Sequence, residues 1–452
     1  MLRRELSFLQ ATAINMIDMV GIGPFVTTAL VAATMGSAPM ALLAWVVGMS
    51  LALVDASVWS ELGAKMPEAG GSYAFLRETY GRDTWGRLMA FLFVWQTSFQ
   101  APLVVTSGAL GFAKYLGFIS GPLNPLLSKL VGVALILILV ALLYRRIGDV
   151  GKISVVLWTC VVATLLWIIG TGIFYGHISQ IVSGQHLLGA IGNDAVWAAL
   201  GIATIPTIYS YLGYYNVCHL GAEVQNPERV IPRSMFVSIF GIGLLYLAMQ
   251  TAIYSVLPIA DVAASPFVVS TLINVVQGPV AAQVVTGLVL IVAVASLFSV
   301  LLGYTRIPYA AAKDGLFFRV FAREHPTKHF PHIALLALGA LAIVFTMTLE
   351  LGDAIKAIIT MRVFTQFVAQ AVGLIILRKR QGSGAMPWRM WLYPLPVLLT
   401  IVGWIWIFSS AKPLQQQLGL AAPVIGVVVY LILARRQHTW PFDSSSSSSS
   451  SS

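Results

Sequence analysis

Apolar residues run through this chain in long stretches, divided by short clusters of charge, proline and glycine. The pattern is neither the one-sided period of a surface helix nor the alternation of a strand. A bilayer core roughly 30 Å thick takes about 20 such residues in one helix. Runs of that order predict twelve spans, near residues 8–34, 39–61, 86–117, 126–144, 152–175, 195–220, 234–257, 280–310, 333–349, 353–377, 391–411 and 417–434. The expected class is an all-α membrane protein with 12 transmembrane helices.

The basic residues test this division independently. With both termini on the cytoplasmic side, 22 of the 27 Lys and Arg fall in cytoplasmic segments. Lys114, Lys129, Lys356 and Lys412 fall on the other face, and Arg362 lies inside a span. Cytoplasmic loops collect Lys and Arg. The split therefore predicts a multi-pass protein of the plasma membrane with both termini cytoplasmic.

Composition narrows the function. At 58% hydrophobic and 10% charged, the chain cannot be a water-soluble globule, whose residues are about a quarter charged. The net charge of +10 sits between spans, so it marks a membrane face and not a nucleic-acid surface. Cys160 and Cys218 lie in apolar runs as packing residues, and no metal cluster or cofactor site is expected. The start resembles a signal n-region, but the run after it is long enough to span and is read as a retained first helix. Residues 438–452, ending in nine serines, are read as disordered or as an appended tail.

Two spans contain residues that an uninterrupted helix avoids. The first holds Gly21, Ile22, Gly23, Pro24 and Phe25 at mid-depth; the sixth holds Pro206, then Tyr209, Ser210, Tyr211, Gly213 and Tyr214. Glycine weakens a helix, and proline suits the start of a new one. Both spans are expected to unwind near the membrane centre, which is tolerated only where protein or a water-filled cavity satisfies the backbone. Gly21 and Gly213 are 192 residues apart, and five spans fit each half. Paired breaks in two halves point to an inverted-repeat transporter site, although a lone glycine also serves close helix packing. A half-helix beginning at Pro24 would offer the amides of Phe25, Val26 and Thr27 to a carboxylate, and exposed carbonyls elsewhere would suit an ammonium.

Four buried charges stand out. Asp18 precedes Gly21 by three residues, about 4.5 Å of helix. It either binds a substrate ammonium, a coupling cation or a proton, or is a packing aspartate. Asp55 lies in the second span, and Arg306 near the inner end of the eighth is a candidate partner for it or for Glu61, as an inward gate or a structural pair. Arg362 must face the bundle interior, toward an internal partner or an anionic group. Asp353 and Lys356 read as a surface pair. Ser296 and Ser299 are weak sodium-site candidates that equally suit capping of helix carbonyls.

Three loop motifs carry a family resemblance. They are Ser60 to Gly81 (Ser-Glu-Leu-Gly-Ala-Lys-Met-Pro-Glu-Ala-Gly-Gly-Ser-Tyr-Ala-Phe-Leu-Arg-Glu-Thr-Tyr-Gly), Gly221 to Arg233, and Thr305 to Phe317. Together with the breaks, they resemble the amino acid, polyamine and organocation superfamily of permeases over nearly all of residues 5–437. The resemblance implies a leucine-transporter-type fold: two inverted five-helix repeats (1–180 and 190–382), helices 1 and 6 discontinuous, and two peripheral helices (388–437). It implies that Gly21, Ile22 and Gly23 hold a substrate carboxylate and that Tyr209, Ser210, Tyr211 and Gly213 take an amino group. Here Gly-Ile-Gly-Pro-Phe replaces the usual Gly-Ser-Gly-Ile-Phe, which removes a hydroxyl and a donor. That wording also resembles polyamine permeases. The fifth-helix lysine that supports proton coupling in some relatives is absent between Trp158 and Trp167.

The expected function is secondary transport of amino acids by alternating access, proton-coupled or exchanging. Alternatives are a polyamine or organic cation permease and a non-transporting nutrient sensor. An enzyme would need a nucleophile with a base, a metal cluster or a nucleotide loop, and the seven scattered histidines supply none. The expected partners are a small-molecule substrate, the lipid bilayer and a coupling proton.

Overall fold

The computed structural model describes residues 2–182, 194–350 and 361–436. Among them there are helices and no strands; two isolated bridges, Leu6 with Val224 and Ala69 with Leu220, tie loops together. The protein is an all-α integral membrane protein. Asp353 and Lys356, part of the tenth span, and the serine tail lie outside the described residues.

The first span forms two helices, α1 (Phe8–Met19) and α2 (Gly23–Met35), bent by 44°. Ser7 and Gln10 begin α1 with a reciprocal capping box. There follow α3 (Ala38–Lys65), α4 (Ser72–Thr79) in the loop, α5 (Trp85–Ser120), α6 (Pro125–Leu143) and α7 (Ile147–Tyr175). The sixth span divides into α8 (Asp194–Tyr211) and the short α9 (Asn216–His219). The remainder comprises α10 (Pro227–Val256), α11 (Pro279–Tyr304), α12 (Arg306–Lys313), α13 (His332–Thr348), a π-helical stretch (Val363–Val368) running into α14 (Ala369–Gln381), α15 (Leu395–Ser410) and α16 (Pro413–Arg436).

Seven described helices are long and apolar enough to cross a membrane, and the bent pair α1 and α2 qualifies together. The expected count of twelve rests also on α8, α13 and α15, which are apolar but shorter, and on the partly described tenth span. The largest boundary difference is α10, which begins at Pro227 instead of residue 234. Asn226 takes a left-handed conformation before a proline at the first helical position, so the helix starts in the polar loop and runs into the apolar stretch.

α1 packs between α7, α10 and α11, while α2 packs on α8. The breaks are therefore enclosed by α5, α10 and α11 and not left against lipid. The ends that carry most Lys and Arg share one face, called here the basic face.

Candidate functional site

The first break follows from its sequence. After Met19 the Val20 amide closes on Met16 O (3.0 Å) and the Gly21 amide on Met19 O (3.2 Å). The chain then resumes at Gly23, one residue before the expected Pro24, and the Val26 amide bonds to Ile22 O (3.3 Å). Val26 is thus not a free donor, because the earlier start shifts the first unpaired amides toward Ile22. Among the described residues, the amides of Ile22, Gly23 and Phe25 have no acceptor. They lie at the positive end of α2. A Cβ at Gly21 would stand 2.6 Å from Ser296 Oγ, so any larger residue there would have to displace the Ser296 side chain.

At the second break α8 ends at Tyr211 and a turn covers Leu212 to Tyr215. Gly213 has φ +118°, and a Cβ on it would lie 2.8 Å from Asp18 Cγ and Asp18 C. The breaks therefore touch through these two residues. The Tyr246 hydroxyl of α10 joins them too, 2.9 Å from Met19 O and 3.2 Å from Ser210 O. Thr27 and Ser210 hydroxyls meet at 2.9 Å, and Asn15 Oδ1 accepts from the Val217 amide (2.9 Å), capping α9 from α1.

Two cavities adjoin the breaks. An inner pocket of about 50 Å³ is lined by Met19, Gly21, Ile22, Gly23, Tyr209 and Ser210, with Val104 and Gly108 from α5 and Ala293, Ser296, Leu297 and Val300 from α11. It is large enough to admit water. An outer cavity of about 370 Å³ shares Ile22, Gly23 and Tyr209 and reaches Lys412 and Gln415, away from the basic face. That volume lies in the range of ligand sites, about 300–1,000 Å³. Val26, Leu30, Ile202, Ile205, Ile407 and Phe408 make it apolar, and no Asp or Glu lines either cavity among the described residues.

Of the residues singled out from sequence, Gly21, Ile22, Gly23, Tyr209 and Ser210 come together in this way. Pro24 and Phe25 are packed into the protein. Tyr211 turns toward α3 and α10, its ring centroid 6.0 Å from Trp45 and 5.3 Å from Tyr246. Tyr214 donates to Asp55 Oδ2. Sequence reasoning missed Val104, Ser107, Gly108 and Gly111 of α5, whose small-residue spacing was the available signal. It also missed Tyr246, which nothing distinguishes in an apolar run.

The charges take other partners than expected. Asp55, buried, accepts from Trp59 Nε1 at 3.0 Å and from Tyr214. Arg306 pairs with Glu223 at 2.9 and 3.2 Å, not with Asp55 or Glu61. The loop after α9 folds beneath α11 and brings Glu223 nearer than any carboxylate of α3. Glu61 instead holds Arg378 at 2.5 and 2.6 Å and the Met390 amide at 3.0 Å. Arg362, buried, lies over the rings of Tyr215 and Tyr304 (5.4 and 5.6 Å), and its Nε and Nη2 have no acceptor among the described residues. Its charge acts on Asp18, which is half-buried and makes no side-chain hydrogen bond among the described residues. Ser296 donates to Asp18 O (3.2 Å) and Ser299 to Ile14 O (2.7 Å). Among the described residues no three His, Cys, Asp or Glu converge as metal ligands.

Ion pairs tie the loops of the basic face together. Arg77 of α4 binds Glu68 and Glu78, each at 2.8 Å, and Asp314. Burial works against the Arg77 charge, but Asp314 and Glu68 hold the guanidinium even more firmly protonated than usual. The N-terminal segment closes beside it, with Leu6 N donating to Glu223 O and Gln225 N to Leu6 O, both 2.9 Å.

Residues 6–432 match the family described as amino acid permease. The chain is 25% identical to the serine/threonine exchanger SteT of Bacillus subtilis (strain 168) over 96% of its own length and 98% of that protein. It is 24% identical to the cystine/glutamate transporter of Homo sapiens over 95% and 85%, and 23% identical to the methylthioribose transporter of Bacillus subtilis (strain 168) over 96% and 94%. With two broken helices meeting beside a cavity and a match along nearly its whole length, this chain belongs to the amino acid permease family.

Proposed function

We propose that the protein is a secondary amino acid permease working by alternating access, seen with its outer cavity open and its basic face closed. The observation that carries this reading is the set of unbonded amides at Ile22, Gly23 and Phe25, at the head of a half-helix whose Ile22 and Gly23 line a cavity of about 370 Å³. Such an end suits a carboxylate. Tyr209 and Ser210 line the inner pocket across from these amides; their carbonyls each accept one bond, from the Leu212 amide and the Tyr246 hydroxyl, and the second lone pair of each suits the amino group.

The absence of Asp and Glu from the described lining favours a neutral side chain over a polyamine. Asp18 is the observation that favours an organic cation, and we assign it instead to coupling, as the site of a proton or of an exchanging ammonium, with Arg362 as its opposing charge. In this reading, residues 1–180 and 190–382 are inverted repeats, supported by the paired breaks. The basic face and both termini are cytoplasmic, in the plasma membrane, supported by the distribution of Lys and Arg. Asp55 and Arg306 then steady the second break and the inner gate.

Proteoliposomes loaded with unlabelled amino acid should accumulate the labelled form by counterflow. Flux of spermidine with none of any amino acid would replace the reading by polyamine transport; binding without flux would replace it by a sensor.

A further inference from the structure

The loop after α12 carries a segment unlike the other loops. Leu316 to Arg323 reads Leu-Phe-Phe-Arg-Val-Phe-Ala-Arg, and its 3₁₀ turn Arg319–Ala322 buries none of its residues. Phe318 is 71% exposed and Val320 42%. In a chain that crosses the bilayer, a segment directly following a long span lies at the membrane rim, where exposed aromatics face the acyl boundary and arginines face headgroups.

Behind this segment is an apolar cavity of about 120 Å³. It is lined by Phe317 and Phe321 of this segment, Val94 and Thr97 of α5, and Leu338 and Leu341 of α13. Val94 and Thr97 are nine and twelve residues beyond the start of α5, about 13.5 and 18 Å along its axis. The cavity therefore runs from the rim toward the membrane interior, as an acyl chain does.

The charges at the mouth are of one sign. Arg319 and Arg323 are exposed and have no carboxylate partner among the described residues. The nearby acids are occupied, Asp314 by Arg77 and Tyr73, and Glu324 by Tyr309 and Lys313. We propose that this is a binding site for an anionic phospholipid, with the phosphate between Arg319 and Arg323 and a short stretch of one acyl chain in the cavity behind Phe317 and Phe321. The same loop supplies Asp314 to the Arg77 clamp, so a lipid held there steadies the closed basic face.

The test is lipid retention, which does not depend on the transport reading. The full-length protein is extracted from bilayers holding equal dioleoylphosphatidylglycerol and dioleoylphosphatidylcholine, and bound lipids are counted by native mass spectrometry. Two basic residues give an expected preference for phosphatidylglycerol of about thirty-fold. The Arg319→Gln, Arg323→Gln double variant should hold both lipids alike, and Ala337→Phe, which fills the cavity, should hold neither tightly. Undiminished phosphatidylglycerol preference in the double variant would overturn the site. So would equal competition by glycerol phosphate, which has no chain to insert, or unchanged retention by Ala337→Phe.

Discussion

Gly213 lies against Asp18 so closely that no side-chain carbon fits between them, with the Asp18 Cγ only 2.8 Å from where one would be. The contact joins two breaks that are far apart in sequence. Gly213→Ala should strain a backbone at φ +118° by about 1–3 kcal/mol and displace Asp18. Counterflow should fall at least tenfold while the melting temperature drops by several degrees; full transport would show that the contact is incidental.

The buried pair Arg306 and Glu223 closes the loop beneath α11. Glu223→Gln strands a buried guanidinium and should cost about 3–5 kcal/mol, whereas replacing both residues by Arg306→Met and Glu223→Leu should restore much of it. Thermal unfolding of Arg306→Met, of Glu223→Leu and of the two combined measures the coupling directly.

Sodium is not expected to drive uptake. The hydroxyls of Ser296 and Ser299 already donate to carbonyls of α1, so replacing sodium by choline at constant pH should leave the initial rate unchanged. Asp18→Asn should retain exchange of amino acid for amino acid while losing the dependence of net uptake on an imposed proton gradient. A sodium requirement, or an unaltered gradient response, would each count against this assignment.

At the basic face, burial pushes the Glu324 carboxyl up, but the Tyr309 hydroxyl and the Lys313 ammonium outweigh it and bring it down to about 2. A carboxyl lowered from its ordinary value of about 4.3 stabilises the fold above that value, and the contribution is lost as pH falls toward 2. Tyr309→Phe should therefore be less stable than the parent at pH 7 but lose less stability on acidification, because its Glu324 carboxyl titrates nearer the unfolded value. Melting curves between pH 7 and pH 3 should show the two proteins converging as pH falls.

The two breaks were legible in the sequence because glycine and proline act on their own backbone, whatever surrounds them. Gly21, Gly23 and Gly213 announced where the helices stop. The wall of the inner pocket was not legible, since Val104, Gly108 and Leu297 face it only through the rotation of α5 and α11, which uniformly apolar spans do not encode. The ion pairs failed for a related reason. Arg306 chose Glu223 over Asp55 because a loop folds back beneath α11, and charge spacing carries no information about that path. The first α2 donors were misplaced by one turn position, because Pro24 occupies the second residue of the helix instead of opening it.

The cross-links between α1 and its neighbours also set where the molecule can give. Asn15 holds α9, Ser299 holds Ile14, Asn216 holds Ser299, and Ser238 reaches Thr12. A push on α9 is thereby transmitted to α1 and α11 as though the three were one lever. The slack in the first span is the three-residue interval from Val20 to Ile22, so the fulcrum of any rocking motion coincides with the place where the ligand would be gripped.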